Sequence, residues 1–353
     1  SFPTRRSSDL FDGTAIEAAR TLNQSRWKAF RRVTLPQILP GIAAGSLLVA
    51  LYTLSDFGTP QIMRYDVFTR QIYVYFNNFL LGEAALFSLL LLVLTVLILT
   101  GESLLSASRE GAHVSSESRR VSRISLGRWK WPAVGFCSSV AVLALVVPLG
   151  ILLMWLGRPS PAYAQGGYDF HLGYIANSVT LSTATAVGAV VVGLPLAYLS
   201  ARGDSWLAVL PERSSYIGYA APGLVVGLAL MVFGLRFGPA KPLYGTVGIL
   251  VLAYLVRFVP QAVGIIESSI LQADPTNREA ARSMGDGPIR SFRRVVLPDI
   301  TPGVVAGGAL VFLTTMKELP ATLLLLPSGN KTLVTYIWLS QEAAYYGQAA
   351  VPA

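Results

Sequence analysis

The sequence predicts an all-α protein, a polytopic bundle of transmembrane helices, and three observations lead there. Of its 353 residues, 53% are hydrophobic and only 13% are Asp, Glu, Lys or Arg, against about 25% charged residues in a soluble domain. Mean hydropathy is +0.54. Seven apolar runs fall at about 40–57, 85–100, 132–156, 173–200, 212–235, 243–268 and 302–327. Each is near the ~20 residues that cross a ~30 Å hydrocarbon core. Finally, the chain repeats itself at an offset of 262 positions.

The repeat begins with Glu17-Ala18-Ala19-Arg20, which recurs as Glu279-Ala280-Ala281-Arg282. Phe30-Arg31-Arg32-Val33 then falls on Phe292-Arg293-Arg294-Val295, Leu35-Pro36 on Leu297-Pro298, and Pro40-Gly41 on Pro302-Gly303. Roughly half of positions 17–56 are identical without a gap, so the fold contains two related modules. In each copy a polar, arginine-bearing segment leads into an apolar run through Leu-Pro.

Taken in order, residues 1–10 resemble a translated sequencing adapter, with no apolar core behind Arg5 and Arg6 to make a signal peptide. Residues 1–11 are therefore set aside as a non-native tail. The first polar loop, 12–36, carries five basic residues and precedes the first run, which Pro40-Gly41 opens; a proline is tolerated in a first helical turn because its missing N–H is not needed there. Residues 58–84 are mixed and aromatic, and the Leu/Val/Ile run at 85–100 follows. The Ser- and Arg-rich stretch 101–131 reads as a linker. Five runs come after it, interrupted by the second polar loop at 269–300.

Charge gives the orientation. The two repeat loops carry five Lys/Arg each and the linker six, whereas the alternating loops carry Arg64 and Arg70, then Arg158, then Arg236 and Lys241. Threading seven spans places both repeat loops and the linker on one side, which the positive-inside rule makes cytoplasmic. The net charge of +9 is thus a matter of topology, and nucleic-acid binding is not expected.

Catalytic chemistry finds no support. Gly329-Asn330-Lys331-Thr332 lacks the spacing of a phosphate-binding loop. His113 and His171 stand far apart, and Cys137 is the single cysteine, so neither a metal site nor a cofactor is expected and the chain is not an enzyme. Four charged residues are candidates for a translocation path. Arg257 lies near the centre of its run, where an unpaired charge costs about 2.5–3.5 kcal/mol. Asp56 falls opposite Glu318 in the repeat, with Lys317 beside the latter. The spacing Gly41-x-x-x-Gly45 recurs as Gly303-x-x-x-Gly307 and would let a helix approach its neighbour closely.

The Glu-Ala-Ala segment, followed by glycine and Leu-Pro, resembles the EAA loop of permease subunits of bacterial ABC importers, over the chain from about residue 12 onward. Asn177-Ser178, Leu194-Pro195-Leu196-Ala197-Tyr198, Pro222-Gly223-Leu224-Val225-Val226-Gly227, Met316-Lys317-Glu318-Leu319-Pro320-Ala321-Thr322 and Asp56-Phe57-Gly58 are similar to fused, two-module ferric-iron permeases. The resemblance implies the type I importer permease fold in the bacterial inner membrane. Residues 12–100 would be the C-terminal part of a first module, with one coupling loop and two spans. Residues 101–131 would be a cytoplasmic linker, and 132–353 a second module lacking its last span. Two coupling loops would dock a separate ATP-binding cassette subunit, itself a homodimer: Glu17, Ala18, Ala19, Asn23, Leu35 and Pro36 in the first, Glu279, Ala280, Ala281, Gly285, Leu297 and Pro298 in the second. Asn23 departs from the family's glycine. An extracytoplasmic solute-binding protein would deliver the substrate, with ferric iron the closest match and thiamine or a phosphonate left open. A secondary transporter, the alternative from another class, would need several midplane ionisable groups, and only Arg257 is central.

Overall fold

The computed structural model describes residues 27, 31, 35–107, 127–158, 170–201, 221–273, 281, 283–285 and 287–353. All the regular elements among them are helical, so the fold is an all-α bundle. They are α1 (Leu35–Ser55), α2 (Gly58–Ile62), α3 (Phe68–Asn77), α4 (Leu81–Ala107), α5 (Lys130–Leu156), α6 (Leu172–Ser200), α7 (Gly223–Arg236) and α8 (Val247–Gln272), then α9 (Leu297–Met316), α10 (Pro320–Leu325), α11 (Leu333–Glu342) and α12 (Tyr346–Ala349). Five stretches are long and apolar enough to cross a membrane: Leu81–Gly101, Gly127–Leu156, Leu172–Ser200, Val247–Gln272 and Phe292–Met316. Of the two remaining apolar runs of the sequence, the first overlaps α1 and the second overlaps α7, a shorter helix of 14 residues; positions 212–220 of that run lie outside the described residues.

Packing divides the chain into two compact units, one of residues 1–55 with 93–115, the other of 56–92 with 116–353. In the first, α1 solves the problem of hydroxyls in an apolar helix internally. Ser46 Oγ donates to the Ile42 carbonyl and Thr53 Oγ1 to that of Val49, each at 2.8 Å.

The second unit is built on α6, α8 and α9, which pack against one another. Lipid tails are as apolar as leucine, so close approach of small residues has to supply the attraction between spans. Ala189, Ala197, Ala253 and Ala262 are completely buried at these contacts. A Cβ on Gly307 would sit 3.4 Å from the Ala262 backbone, and one on Gly303 would overlap Ser269, 2.5 Å from its Cβ. The second Gly-x-x-x-Gly pair therefore seats α9 on α8. In the first copy, a Cβ on Gly45 would meet nothing within 4 Å.

Several boundaries differ from expectation: α1 starts at Leu35, and α4 runs to Ala107 and the next span starts at Gly127, both inside the stretch expected as a linker. The Leu-Pro step was expected to end the second polar segment, and the last apolar run to continue to 327. In the structure a π-helical turn, Phe292–Val296, leads straight into α9, with Pro298 in its first turn. The wider turn accommodates a residue that cannot donate back to the preceding turn. At the far end α9 stops at Met316, and Pro320 opens the separate α10. Pro320 lacks an N–H, and its ring would clash with the Met316 carbonyl four residues back.

The duplication also runs further than the sequence register showed. Gly58 and Pro320 each open a short helix at the original offset of 262. Beyond a three-residue insertion the offset becomes 265. Arg64 and Gly329 both have positive φ, Val67 and Thr332 are extended N-caps, and α3 and α11 each have 10 residues. Phe79 and Ala344 then share φ 60°. Each closes its helix with the same pair of bonds, Phe79 N to Phe76 O and Leu80 N to Tyr75 O at 3.0 Å in one copy, Ala344 N to Gln341 O at 2.9 Å and Tyr345 N to Ser340 O at 2.7 Å in the other.

Because Gly303 has no room for a side chain, Gly303→Ala should lower the thermal stability of the purified chain by about 1–3 kcal/mol, the range for overpacking. Gly264→Ala, on the open side of α8 where a Cβ meets nothing within 4 Å, should be neutral or slightly stabilising. Unfolding midpoints of the two variants in one detergent compare them directly.

Candidate functional site

Tyr254, Arg257 and Gln261 are spaced three and four apart, which sets them on one face of α8. Thr314, Glu318 and Thr322, spaced by four, lie opposite in antiparallel order. The Tyr254 hydroxyl pairs with Thr322 Oγ1 at 2.6 Å, and Thr314 Oγ1 donates to Gln261 Oε1 at 3.0 Å. Between them Arg257 Nη1 forms an ion pair with Glu318 Oε1, the two side chains only 12% and 10% exposed. This polar seam crosses the point where α9 stops and α10 starts. Thr322 Oγ1 closes the break by bonding to the Glu318 carbonyl, and Glu318 Oε1 lies 3.4 Å from the Ala321 N–H.

Gly223 completes the arrangement. Pro222 caps α7, and Gly223 presents its backbone directly to the ion pair. A Cβ there would lie 2.5 Å from Glu318 Oε1 and 2.8 Å from Arg257 Nη1. Arg257 also sets its guanidinium over the Phe258 ring at 5.1 Å, while its buried Nε has no hydrogen-bond partner. The sequence marked Pro222-Gly223 only by resemblance; the structure supplies the steric reason for the glycine.

Of the four candidate path residues, the structure brings two together. Glu318 is 8% exposed and compensated by Arg257, whereas its neighbour Lys317 points to the exposed surface. Asp56, the repeat counterpart of Glu318, is half-buried. Its carbonyl accepts from Thr69 Oγ1 at 2.7 Å, and its carboxylate makes no ion pair among the described residues.

Of the residues expected to form the coupling loops, Glu17, Ala18, Ala19, Asn23, Glu279 and Ala280 lie outside the described residues, while Leu35 is half-buried and both Leu35 and Pro36 lie in the first turn of α1. Ala281 is 2% exposed. Gly285 has φ +88°, in the left-handed region, beside an exposed Met284. Phe292 packs edge-on against Tyr198 of α6 with ring centroids 5.0 Å apart. Val296 is buried while Val295 is only half-buried. Leu297 is half-buried and Pro298 exposed at the head of α9.

Outside the spanning helices, Phe57 is 1% exposed beneath Tyr73 and Trp338, at centroid distances of 4.9 and 5.2 Å. This cluster joins α3 to its repeat counterpart α11. Burial pushes the nearby Glu342 carboxyl above the usual carboxylate range, and Trp338 partly offsets it. Burial likewise pushes the Tyr73 phenol up, moderated by Asn77.

The profile of the family described as binding-protein-dependent transport system inner membrane components matches residues 6–109 and 162–353. The chain belongs to that family. It is 33% identical to the Fe(3+)-transport system permease protein FbpB 2 of Haemophilus influenzae over 345 residues, covering 96% of this chain and 67% of that protein. It is 24% identical to the ferric transport system permease protein FbpB of Actinobacillus pleuropneumoniae, covering 94% and 51%, and 27% identical to a probable ABC transporter permease protein of Sinorhizobium fredii, covering 96% and 64%. The chain thus spans half to two thirds of the length of these relatives. As a member of this family it is an inner-membrane component, in agreement with its apolar helices.

The buried pair predicts a non-additive mutant cycle. Arg257→Gln and Glu318→Gln should each destabilise the chain by about 3–5 kcal/mol, because each strands a buried polar or charged group, and the double variant should be more stable than either. Additive losses in detergent unfolding would show that the pair is not coupled. Gly223→Ala should behave like a broken pair. For Glu342 the folded-state value lies above the ordinary 4.5, so the stability tied to its protonated form is complete below that value and lost as pH rises through the raised one. Glu342→Gln should therefore flatten the acid side of the midpoint-against-pH profile and give a modest gain at neutral pH.

Proposed function

We propose that the chain is the membrane-spanning part of an ATP-driven importer, forming the substrate path and docking its ATPase through the two Glu-Ala-Ala segments. The observation that carries this reading is the duplication of that segment in a chain of this family, each copy leading directly into a span. The second copy has the parts such a contact needs. Ala281 is buried against the protein, Gly285 takes a backbone conformation that costs other L-residues about 1–2 kcal/mol, and the π-turn joins the segment to α9 without a break. Gly303 and Gly307 then seat α9 against α8, so displacement of the segment is carried into the core. ATP binding and hydrolysis would take place on a separate homodimeric subunit, and a soluble binding protein would present substrate at the outer face.

Ferric iron is the proposed substrate, because two of the relatives are named for Fe(3+) or ferric transport. The four candidate path residues divide by role under this reading. Arg257 and Glu318 brace the wall of the path at the α9–α10 break, with exposed Lys317 beside them. Asp56 has no ion-pair partner among the described residues, which suits a passing cation.

Two measurements test the proposal in the full-length protein with its ATPase. Gly285→Val should reduce both co-purification with the ATPase and uptake by more than tenfold, and undiminished association would count against docking at this segment. Asp56→Asn should reduce ferric uptake severalfold with ATPase association intact; unchanged uptake would remove Asp56 from the path.

A further inference from the structure

Between the two family-matched stretches lie residues 110–161, and within them α5. None of the residues of α5 is buried, although Gly127–Leu156 is long and apolar enough to span. Its outer end packs Trp155 against Tyr346 at a centroid distance of 5.0 Å, with Arg158 over the same indole. Its other end, on the basic and hence cytoplasmic side, presents Arg128, Trp129, Lys130 and Trp131 together, all exposed, the two indoles by 76% and 75%. Lys130 Nζ lies 5.9 Å from the centre of the Trp131 ring.

Three features separate this end from an ordinary interfacial belt. First, no Asp or Glu occurs between Glu117 and Asp169, and neither Arg128 nor Lys130 makes an ion pair among the described residues. Second, cation and indole alternate at successive positions, so ring faces that sit at headgroup depth are interleaved with charges that need an anion. Third, the helix below carries no charged residue from Trp131 to Gly157, which places acyl chains next to it and phosphates next to the cations.

We infer that Arg128–Trp131 is a binding site for the headgroup of an anionic phospholipid of the cytoplasmic leaflet. The cations take the phosphate and the indoles hold the glycerol and upper acyl region. This makes α5 a lipid-anchored span that fixes the start of the second half of the chain at the membrane surface. The inference does not depend on the transported substrate or on ATPase docking.

Cys137, the single cysteine of the chain, is exposed on α5 and lies about 10 Å along the helix from Lys130 at the ~1.5 Å rise per residue. A bimane label there reports the lipid next to this end of α5. Quenching by phosphatidylglycerol with brominated acyl chains should exceed quenching by the phosphatidylcholine equivalent, with a relative affinity of about 25-fold, or roughly fivefold per cation. Arg128→Gln with Lys130→Gln should bring the ratio close to one, while Arg128→Lys with Lys130→Arg should retain it. Raised salt should weaken the preference without changing quenching by phosphatidylcholine. Equal quenching by the two lipids in the parent chain would overturn the inference, as would an undiminished preference in the double glutamine variant.

Discussion

Inside a membrane, apolar surface gains nothing by leaving lipid for protein, and this constraint shapes the second unit throughout. Its three central helices are held by two devices that remain effective in hydrocarbon. One is close backbone approach, at Gly303, Gly307, Ala262 and Gly193, where small residues let dispersion contacts accumulate. The other is the pairing of polar groups that have no water to turn to, along the Tyr254–Thr322, Arg257–Glu318 and Gln261–Thr314 seam. The two devices act on the same pair of helices at successive levels, α8 against α9, with the seam continuing onto α10. Helices joined in this way resist sliding, so a displacement delivered at one end reaches the other.

The break between α9 and α10 follows from that seam. A continuous helix would satisfy the backbone of residues 317–319, but Pro320 forbids it. The freed groups are taken up by Glu318 and Thr322 instead. The Glu318 carboxylate is in turn acceptable in lipid only because Arg257 lies opposite, and Gly223 leaves space for both. Proline, ion pair and glycine therefore form one constraint, distributed over three helices that lie far apart in the chain.

The repeat shows how such constraints are inherited with different chemistry. α1–α2–α3 and α9–α10–α11 share their breaks, their extended N-caps and their left-handed helix ends. Yet the residues at equivalent positions range from identical to unrelated: Arg64 stands where Gly329 does, and Phe79 where Ala344 does. A left-handed residue with a large side chain is costly, so the helix end must be held by the bonds that close it. Backbone geometry has persisted where sequence identity has not. The reason that only the first part of the duplication was legible is physical: an insertion of three residues changes the offset in a loop, and beyond it the pattern is carried by φ and capping, which different side chains can satisfy. A trace survives in Gly82-Glu83-Ala84-Ala85 and Gly347-Gln348-Ala349-Ala350.

Composition and period were enough to determine the class of the protein. Apolar runs of spanning length, basic residues concentrated in alternate loops and a duplicated Glu-Ala-Ala segment each follow from local chemistry that a linear reading can count. That reading also marked Arg257 and Glu318 as charges needing an explanation, because the cost of a lone charge in lipid depends on its depth alone. What it could not decide was their partnership. Positions 257 and 318 are related by the antiparallel packing of α8 on α9, and the need for glycine at 223 exists only once those helices and α7 converge. Only the tertiary structure separates Glu318, whose charge Arg257 balances, from Asp56, which has no ion-pair partner among the described residues, because that difference lies in the surroundings of two carboxylates that the repeat makes equivalent.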